Sequence, residues 1–363
     1  MFHLNKLGGQ GLKMAREGSV KYIHNAKSNK NDEFYTVLSD IEKELKHYKN
    51  HFKNKVVYCN SDDPFESNFF KFFAANFINF GLKKLIVTSY GGSPIIGSQL
   101  PLLDIKGING KEPIKIEINK VEDYNKDGSI DLSDVQLLLK HDANTSAPLK
   151  QGGDFRSNEC IELLKQADIV VTNPPFSLFR EYVEQLMKYK KKFLIIGTWN
   201  AITYKEIFPL IKDNKIWIGI NSNRNFSGFI VPKHYKLYGT EARVDENGNR
   251  IVSSNNTCWF TNLDIDKRHE KLILYKKYNK AEYPKYDNCN AIEVSQTNDI
   301  PIDYKGAMGV PITFMNKYNP IQFEILGLDD HELVYPEWRG RGPSLNGKTI
   351  YRRIIIKNKG AKK

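Results

Sequence analysis

The sequence predicts an α/β fold with a largely parallel sheet, and two observations support this prediction. Short apolar runs rich in β-branched residues alternate with segments whose apolar residues recur at helical spacing. This alternation is typical of strand–helix–strand units, in which consecutive strands run parallel. We therefore expect a Rossmann-like sheet with helices on both faces. Ligands of such sheets bind at the carboxyl ends of the strands, so functional residues are expected directly after them.

The predicted elements follow one another along the first part of the chain. Buried strands are expected at residues 55–59, 85–88, 168–172, 193–197 and 215–220. Helices are expected at residues 39–48, 67–80, 158–166 and 177–189. Ser39 and Glu42 have the spacing of a capping box, which predicts a helix start. Thr203 and Glu206 repeat this spacing.

The pattern of residue types changes beyond about residue 221, where turn-forming residues become frequent and apolar runs become short and aromatic. We therefore predict a β-rich, irregular region over residues 221–363. Residues 31–220 form the predicted catalytic domain, interrupted by an insertion at residues 104–150. Residues 1–30 are polar and weakly patterned, and they are expected to be a mobile N-terminal segment.

The composition indicates a globular protein with an anionic partner. Of the 363 residues 40% are apolar, enough to build a core, and the formal net charge is +12 with a pI of about 9.2. Nucleic acid is the first candidate partner for a protein this basic. The four cysteines form no Cys-x-x-Cys motif and are expected to be reduced. No leader segment or membrane-spanning apolar run is recognised, so a cytoplasmic protein without membrane contact is expected.

The most specific motif is Asn173-Pro174-Pro175-Phe176, which directly follows a predicted strand. An adenine amino nitrogen is a poor nucleophile because its lone pair is delocalised into the ring. Two acceptors aimed at its hydrogens would free the lone pair, and the side-chain carbonyl of Asn173 and the main-chain carbonyl of Pro174 can supply them. The prolines fix the backbone and remove competing N–H donors. The alternative is that the two prolines merely end the strand in a rigid turn.

Phe176 completes this motif as a catalytic loop. Its ring offers a flat face on which a base turned out of a duplex can stack. A methyl group would then pass in line from a sulfonium donor. Catalysis would depend on positioning and preorganised electrostatics, without a covalent intermediate. The motif therefore predicts methylation of an adenine amino group with base flipping.

Two segments are candidates for a cofactor site. Asn60, Asp62 and Asp63 follow the first predicted strand, and a carboxylate at that place can bind an ammonium group. The alternative is an ordinary acidic helix N-terminus. In the second segment Asp154 can accept from an adenine amino group and Phe155 can pack on its ring, while two preceding glycines let a ligand approach the backbone. A plain turn is the alternative there.

These motifs resemble those of the EcoRI-type adenine-specific DNA methyltransferases, in the same order and over most of the chain. The matching segments are DEFYT at Asp32, CNSDDPFESNF at Cys59, GDFRS at Gly153, VTNPPFS at Val171, TCWFTNL at Thr257, AIEV at Ala291 and IPIDYKGAMGVPITF at Ile300. The resemblance implies a class I methyltransferase fold, S-adenosylmethionine as the cofactor and duplex DNA as the substrate. It also implies that target recognition lies largely in the C-terminal half.

One further feature of the cofactor site comes from this resemblance. The stretch with Phe34 and Tyr35 resembles the segment that covers the cofactor in adenine methyltransferases, with a loop of two buried aromatic side chains as the alternative. The chain also departs from the common pattern. The usual Gly-x-Gly after the first strand is absent, and the second strand ends in Thr88-Ser89-Tyr90, without a carboxylate for the ribose.

The insertion contains a segment that matches a calcium-binding loop. Gly128 stands at the sixth position, where such loops turn sharply, and the oxygen-bearing residues have the spacing of an EF-hand loop that ends in Asp instead of Glu. Loops of dockerin-type repeats resemble it in this respect. The alternative is a polar turn with a chance match. The predicted ligands of a structural calcium ion are Asp123, Asn125, Asp127, Ser129, Asp131 and Asp134.

Candidate DNA contacts lie in the β-rich region. Residues 339–363 are strongly basic, although a solvated charged surface is the alternative. Phe226 lies where adenine methyltransferases often place an aromatic ring against the flipped base, although burial in the core is the commoner place for such a residue. Phosphate contacts are predicted for Arg339, Arg341, Arg352 and Arg353.

The leading hypothesis is a site-specific DNA adenine-N6 methyltransferase of a restriction–modification system, with a flipped-out adenine as its target. A second hypothesis keeps the Asn-Pro-Pro-Phe loop but changes the substrate to RNA or to a protein glutamine. A third is a catalytically silent DNA-binding protein on a methyltransferase scaffold. A monomer is expected, since one base-flipping event needs a single active site, and a cognate restriction endonuclease is a candidate partner.

Overall fold

The computed structural model describes most of the chain beyond its first segment. The described ranges are 35–60, 67–91, 113–124, 143–222, 226–231, 242–252, 256–328 and 342–361, with further residues at 126, 130, 134, 137, 138 and 237. The N-terminal segment that was predicted to be mobile, residues 1–30, lies outside the described residues.

Two compact units make up the chain. The first comprises Met1–Thr198 and Asn221–Trp259, and the second comprises Trp199–Ile220 and Phe260–Lys363. The first unit thus includes residues on both sides of the predicted boundary at residue 220. One reason is that Tyr35–Thr36 pairs with the later strand Phe229–Val231. The division into catalytic and target-recognition regions concerns function and stays a prediction.

A mixed eight-stranded sheet carries the predicted strands. The strand β1 (Tyr35–Thr36) belongs to another sheet. The members of the eight-stranded sheet are β2 (Val56–Asn60), β3 (Lys84–Thr88), β4 (Ile114–Ile118), β5 (Thr145–Pro148), β6 (Ile169–Thr172), β7 (Lys192–Thr198), β8 (Trp217–Ser222) and β12 (Thr257–Thr261). Their order is β5-β4-β3-β2-β6-β7-β12-β8. The division between the two units falls within β8 and β12. The predicted α/β class is confirmed.

The four neighbouring strands β3, β2, β6 and β7 run parallel. Each agrees closely with a predicted strand. β2 and β6 are buried along their whole length, which explains their continuous apolar sequences, because both faces of a parallel sheet are covered. The carboxyl ends of these strands therefore share one edge of the sheet.

The helices flank these strands in sequence. They are α1 (Leu38–Leu45), α2 (Lys49–Phe52), α3 (Asn68–Ala75), α4 (Asn158–Gln166), α5 (Phe179–Lys188) and α6 (Phe208–Lys212). The prediction for α4 is confirmed at both ends. Ser157 caps it, since its hydroxyl oxygen accepts from the backbone N–H of Cys160. The predicted helix at residues 177–189 divides into a 3-10 turn, Phe176–Leu178, and α5.

Both capping-box predictions are wrong. α1 begins before Ser39, with Val37 at the N-cap position and no side-chain hydrogen bond there. α6 begins only at Phe208, with Ile207 at the N-cap position and no side-chain hydrogen bond there, so Thr203 lies too far from the helix start to cap it. The spacing of the residue types is therefore not enough to predict a helix start here, because neither Ser39 nor Thr203 is at the N-cap position of its helix.

α3 is shorter than predicted. The side-chain amide of Asn76 donates to the carbonyl of Phe72 at 2.9 Å, and such bonds compete with the helical ladder. The chain leaves the helix there. Phe77 and Phe80 are nevertheless buried, and the ring of Phe80 stacks on that of Phe52 with centroids 5.6 Å apart. The predicted aromatic stripe thus packs in the core, partly from a turn.

The insertion contributes two strands that were not predicted. β4 pairs antiparallel with β3, and β5 pairs antiparallel with β4. Alternate residues of β4 are buried, as its sequence Ile-Lys-Ile-Glu-Ile indicates for a half-buried strand. Glu117 of β4 forms ion pairs with Lys84 of β3 and with Lys115. The parallel sheet is therefore extended at one side by antiparallel strands.

A second sheet of the first unit joins segments that are far apart in sequence. It contains β1, β9 (Phe229–Val231), β10 (Arg243–Val244) and β11 (Arg250–Val252), in the order β1-β9-β11-β10 and antiparallel throughout. Tyr35 pairs with Ile230, and Thr36 pairs with Phe229. The stretch before α1 is therefore bound to a strand from beyond residue 221.

Strands predominate in the described part of the second unit. One sheet has the order β13-β14-β18-β15, formed by β13 (Ala291–Glu293), β14 (Ala307–Pro311), β15 (Phe323–Leu328) and β18 (Arg353–Asn358). A small hairpin is formed by β16 (Ser344–Leu345) and β17 (Lys348–Thr349). Ile354, Ile355 and Ile356 of β18 are fully buried and form the centre of this sheet.

Two expectations from composition are compatible with the structure. All four cysteines are buried and none is in a disulfide. Within the ranges that the structure describes, no helix has both the length and the apolar content needed to cross a membrane.

Candidate active site

Three strand ends meet at the edge that the fold predicts for a ligand. β2 ends at Asn60 and β3 at Thr88, and these two residues are register partners. β6 ends at Thr172, whose hydroxyl donates to the main-chain carbonyl of Asn60 at 2.6 Å. All three residues are buried. The residues that follow these strands are therefore brought together.

The Asn-Pro-Pro-Phe loop leaves β6 at this edge. Pro174 and Pro175 are buried, while Asn173 and Phe176 are half-buried. The loop turns at once into a 3-10 helix, since the N–H of Leu178 donates to the carbonyl of Pro175 at 3.0 Å. The prolines thus fix the backbone in a strand-to-helix turn, which both interpretations of the motif expect. This turn leaves the side chain of Asn173 directly beyond the last residue of β6.

Phe176 is braced by an aromatic partner from the second sheet. Its ring meets that of Phe229 edge to face, with centroids 6.0 Å apart and an interplanar angle of 73°. Such pairs contribute about 0.5–1.5 kcal/mol beyond their buried area. Phe229 itself is buried, and it is a residue that the sequence did not single out for the site.

Asn60 links the strand edge to a helix behind the loop. The hydroxyl of Tyr182, in α5, donates to the side-chain oxygen of Asn60. The ring of Tyr182 in turn meets Phe155 edge to face at 5.1 Å. The side-chain oxygen of Asn60 is therefore used inside the protein, and a contact of Asn60 with a cofactor stays a prediction.

The glycine turn before α4 packs against the end of β3. Gly153 has φ of +73°, and a β-carbon there would overlap the carbonyl oxygen of Ser89. The N–H of Gly91 donates to the carbonyl of Gly152 at 2.9 Å. Only glycine permits both the left-handed backbone and this close approach. The turn therefore brings the residues after Gly153 to the strand edge.

Asp154 and Phe155 follow this turn and are tied to Arg156. The carboxylate of Asp154 accepts from the backbone N–H of Arg156 at 2.8 Å and from its guanidinium at 2.7 and 2.9 Å. These side-chain hydrogen bonds are the main reason that the pKa of Asp154 lies below its ordinary value. The Arg156 guanidinium also lies 5.2 Å from the centre of the Phe155 ring, and Phe155 is buried.

Tyr35 and Thr36 of β1 are both buried. The carbonyl of Thr36 accepts from the side-chain amide of Asn68, at the start of α3, at 2.7 Å. Its hydroxyl oxygen is buried without a hydrogen-bond partner among the described residues. A buried hydroxyl in this state is uncommon in proteins. The sequence segment DEFYT contains Thr36, but nothing in it distinguishes this side chain.

The remaining predicted cofactor and metal ligands are only partly described. Phe34, Asp62, Asp63, Asn125, Asp127, Ser129, Asp131, Arg339 and Arg341 lie outside the described residues. Of the calcium loop, Asp123 is half-buried and Asp134 is fully buried. The backbone N–H of Tyr124 donates to the Asp134 carboxylate at 2.7 Å. The described residues contain no cluster of three or more side chains suited to a metal ion.

Two predicted DNA contacts are placed unfavourably for that role. Phe226 is buried, and its ring stacks on that of Trp259 with centroids 6.0 Å apart. The ring is therefore used for packing in this structure and is not exposed to a base. Arg353 is nearly buried and forms an ion pair with Glu293 at 2.6 Å. Its guanidinium therefore serves the fold of the second unit, because a buried carboxylate needs a partner. Arg352 is exposed and keeps its predicted role as a prediction.

Four parallel strands with an Asn-Pro-Pro-Phe loop at their carboxyl ends and a glycine turn beside it are the arrangement expected of an amino-group methyltransferase. The family model "Adenine-specific methyltransferase EcoRI" matches residues 22–359. The chain belongs to this family. The predicted family, the enzyme class and adenine-specific DNA methylation are thereby confirmed.

Curated relatives agree with this assignment over nearly their whole length. The Type II methyltransferase M.EcoRI of Escherichia coli is 52% identical over 96% of this chain and 100% of that protein. M.MgeORF184P of Mycoplasma genitalium is 36% identical over 93% of the chain and 99% of that protein. M.MpnI of Mycoplasma pneumoniae is 35% identical over 94% and 99% respectively. No solved structure matches the chain at a significant level.

The glycine turn generates a stability prediction with an internal control. Gly152→Ala should cost only about 1–2 kcal/mol, the usual penalty for a left-handed non-glycine residue, because nothing lies near its β-carbon. Gly153→Ala should cost clearly more, since its β-carbon must also displace the Ser89 carbonyl. Urea unfolding of the two variants measures the difference. Equal losses would show that the turn does not approach β3 so closely.

Proposed function

We propose that this enzyme transfers the methyl group of S-adenosylmethionine to N6 of an adenine turned out of a specific duplex DNA site. The observation that carries the proposal is the position of Asn173. It lies directly beyond β6 at the carboxyl edge of the parallel strands, with Phe176 three residues later in the same rigid turn. Family membership supports DNA as the substrate and methyl transfer as the reaction.

The loop supplies the two acceptors that the amino group needs. The side-chain carbonyl of Asn173 and the main-chain carbonyl of Pro174 would each take one hydrogen of the amino group. The nitrogen lone pair would then leave conjugation with the ring and be free to take the methyl group. The carbon–sulfur bond of the donor would break, S-adenosylhomocysteine would be the leaving group, and the methylated nitrogen would lose one proton to solvent. Neither proline has an N–H that would compete for these acceptors. Because the groups are held by a turn, little reorganisation is needed during the reaction.

Phe176 would stack on the extruded adenine and hold it in the plane that this geometry requires. Its edge contact with Phe229 restricts the orientation of the ring. Unstacking a base costs a few kcal/mol, and stacking on an aromatic side chain recovers part of it. Base flipping is therefore part of the proposal, and the same loop would bind the base and activate it.

The residues around the strand edge fit S-adenosylmethionine, whose sulfonium supplies a reactive methyl group. Thr36 offers a buried hydroxyl that lacks a protein partner in the described chain. Asp154 offers a carboxylate whose depressed pKa keeps it ionised, a state suited to accepting a hydrogen bond from an adenine amino group. Tyr35 and Phe155 are aromatic neighbours in the two segments. These four residues are the proposed cofactor ligands within the described ranges.

Other parts of the proposal rest on sequence and family alone. Arg352 and the basic stretch around it would contact DNA phosphates, and the region beyond residue 221 would recognise the target. The relatives are Type II methyltransferases, which supports a restriction–modification context and a cognate endonuclease as partner. A monomer in the cytoplasm stays a prediction.

We further propose that the loop beginning at Asp123 binds a structural calcium ion. The bond from the Tyr124 backbone to Asp134 supports this, since it holds the last predicted ligand next to the first. Calcium at about 100 times its Kd should raise the unfolding free energy by about 2.7 kcal/mol. Calorimetry and thermal unfolding test this, with Asp127→Ala as the variant that should lose the effect. No heat of binding in the wild type would end the proposal.

The reaction is tested by transfer of labelled methyl to unmethylated duplex DNA, followed by digestion to nucleosides. The wild type should yield N6-methyladenine. Asn173→Ala should lower kcat by at least about 100-fold, as is usual when a preorganised electrostatic contact is removed. Its affinity for S-adenosylmethionine should stay unchanged, because Asn173 acts on the amino group. A parallel loss of cofactor affinity would mean that the loop has been misassigned, and label in RNA or protein alone would exclude DNA as the substrate.

The unpartnered hydroxyl in β1 gives a separate prediction. Thr36→Val keeps the shape of the side chain but removes the hydroxyl, and it should weaken S-adenosylmethionine binding by about 3- to 10-fold, the value of one hydrogen bond. Thr36→Ser is the matched control and should bind like the wild type. Isothermal calorimetry measures both. Wild-type affinity in the valine variant would remove Thr36 from the site.

A further inference from the structure

Helix α1 carries two acidic residues on its buried face. Asp40 and Glu44 are four residues apart, so they lie one above the other, and both are almost completely buried. Glu44 binds a residue of β8, and Asp40 binds a residue that follows it. Glu44 accepts from the backbone and side-chain N–H groups of Asn221 at 2.7 and 2.9 Å, and also from the Tyr48 hydroxyl. The methyl-transfer chemistry uses neither carboxylate.

Asp40 holds Ser227 by two bonds at once. One carboxylate oxygen accepts from the backbone N–H of Ser227 at 2.6 Å, and the other accepts from its hydroxyl at 2.8 Å. The carbonyl of Ser227 accepts from the guanidinium of Arg243 at 3.0 Å. The backbone N–H, the backbone carbonyl and the side-chain hydroxyl of Ser227 are thus all hydrogen-bonded. The carboxyl group of Asp40 also lies 3.6 Å from the ammonium group of Lys43. Burial raises the pKa of Asp40, and the bonds from Ser227 and the charge of Lys43 oppose that effect.

Ser227 leads directly into the aromatic residue that braces the catalytic loop. Gly228 has φ of +121°, and a β-carbon there would lie 2.5 Å from the carbonyl oxygen of Val252, so only glycine fits this close approach to β11. Phe229 comes next, pairs through its backbone with Thr36, and its ring meets that of Phe176 edge to face. The orientation of Phe176 therefore depends on where Ser227 is held.

We propose that Asp40 is a positioning residue for the target base. By fixing Ser227 it holds Phe229 against Phe176, and so sets the ring on which the extruded adenine stacks. The inference rests on the proposed role of Phe176. It assigns Asp40 to the step in which the base is oriented, with no contact to the cofactor or the reacting atoms.

The test compares variants in the labelled-methyl assay on unmethylated duplex DNA. Asp40→Ala removes both bonds and should lower kcat by about tenfold or more, as misplacement of a positioning contact does, while KM for S-adenosylmethionine changes less than about twofold. Asp40→Asn keeps one acceptor and gains a donor for the Ser227 hydroxyl, so it should restore kcat to near the wild-type value. Ser227→Ala removes one bond only and should show an intermediate kcat.

Glu44→Gln is the matched control. It alters the other buried carboxylate on the same face of α1. Glu44 binds Asn221, which is not in the turn that leads to Phe229. The kcat of this variant should therefore equal that of the wild type even if its melting temperature falls. Loss of kcat in Glu44→Gln equal to that in Asp40→Ala would reduce Asp40 to a structural role. If Asp40→Ala does not fold, wild-type kcat in Ser227→Ala overturns the inference. A wild type that makes no N6-methyladenine refutes the proposed function itself, and the inference with it.

Discussion

The hydroxyl of Thr172 donates to the main-chain carbonyl of Asn60, whose side-chain oxygen accepts from Tyr182. These buried bonds join β6, β2 and α5 immediately behind the catalytic loop. In a low-dielectric interior such bonds are costly to break, so they hold the three elements together. The catalytic loop depends on these bonds because Asn173 directly follows the last residue of β6. A shift of β6 relative to β2 would therefore move the side-chain carbonyl of Asn173.

Around this anchor the site is assembled from segments that are distant in sequence. The glycine turn approaches β3 from one direction, and the small sheet formed by β1 and β9 supplies Phe229 from another. Each approach depends on a backbone that only glycine allows, at Gly153 and at Gly228. Rigid, close-packed approaches of this kind are what a reaction without a covalent intermediate needs, since its catalysis consists of placement.

Local signals predicted much of the framework, and long-range contacts explain what they missed. β2 and β6 have the continuous apolar sequence of a doubly covered strand, and α4 has a serine at its cap. The motif at Asn173 follows its strand as predicted. By contrast, the partner of Arg353 is Glu293, sixty residues away, so a charge count could not distinguish an ion pair from a DNA contact. The bond between Asp40 and Ser227 spans 187 residues and leaves no trace in either local sequence.

The outermost strand of the eight-stranded sheet, β5, affects how the molecule behaves in a crowded solution. It is only four residues long, partly exposed, and ends in Pro148, which has no N–H to offer an incoming strand. Without β4 and β5, the apolar β3 would be an open template for a second copy of the chain. The described strands of the insertion thus cover the side of β3 and replace an apolar outer strand with a short one that ends in proline.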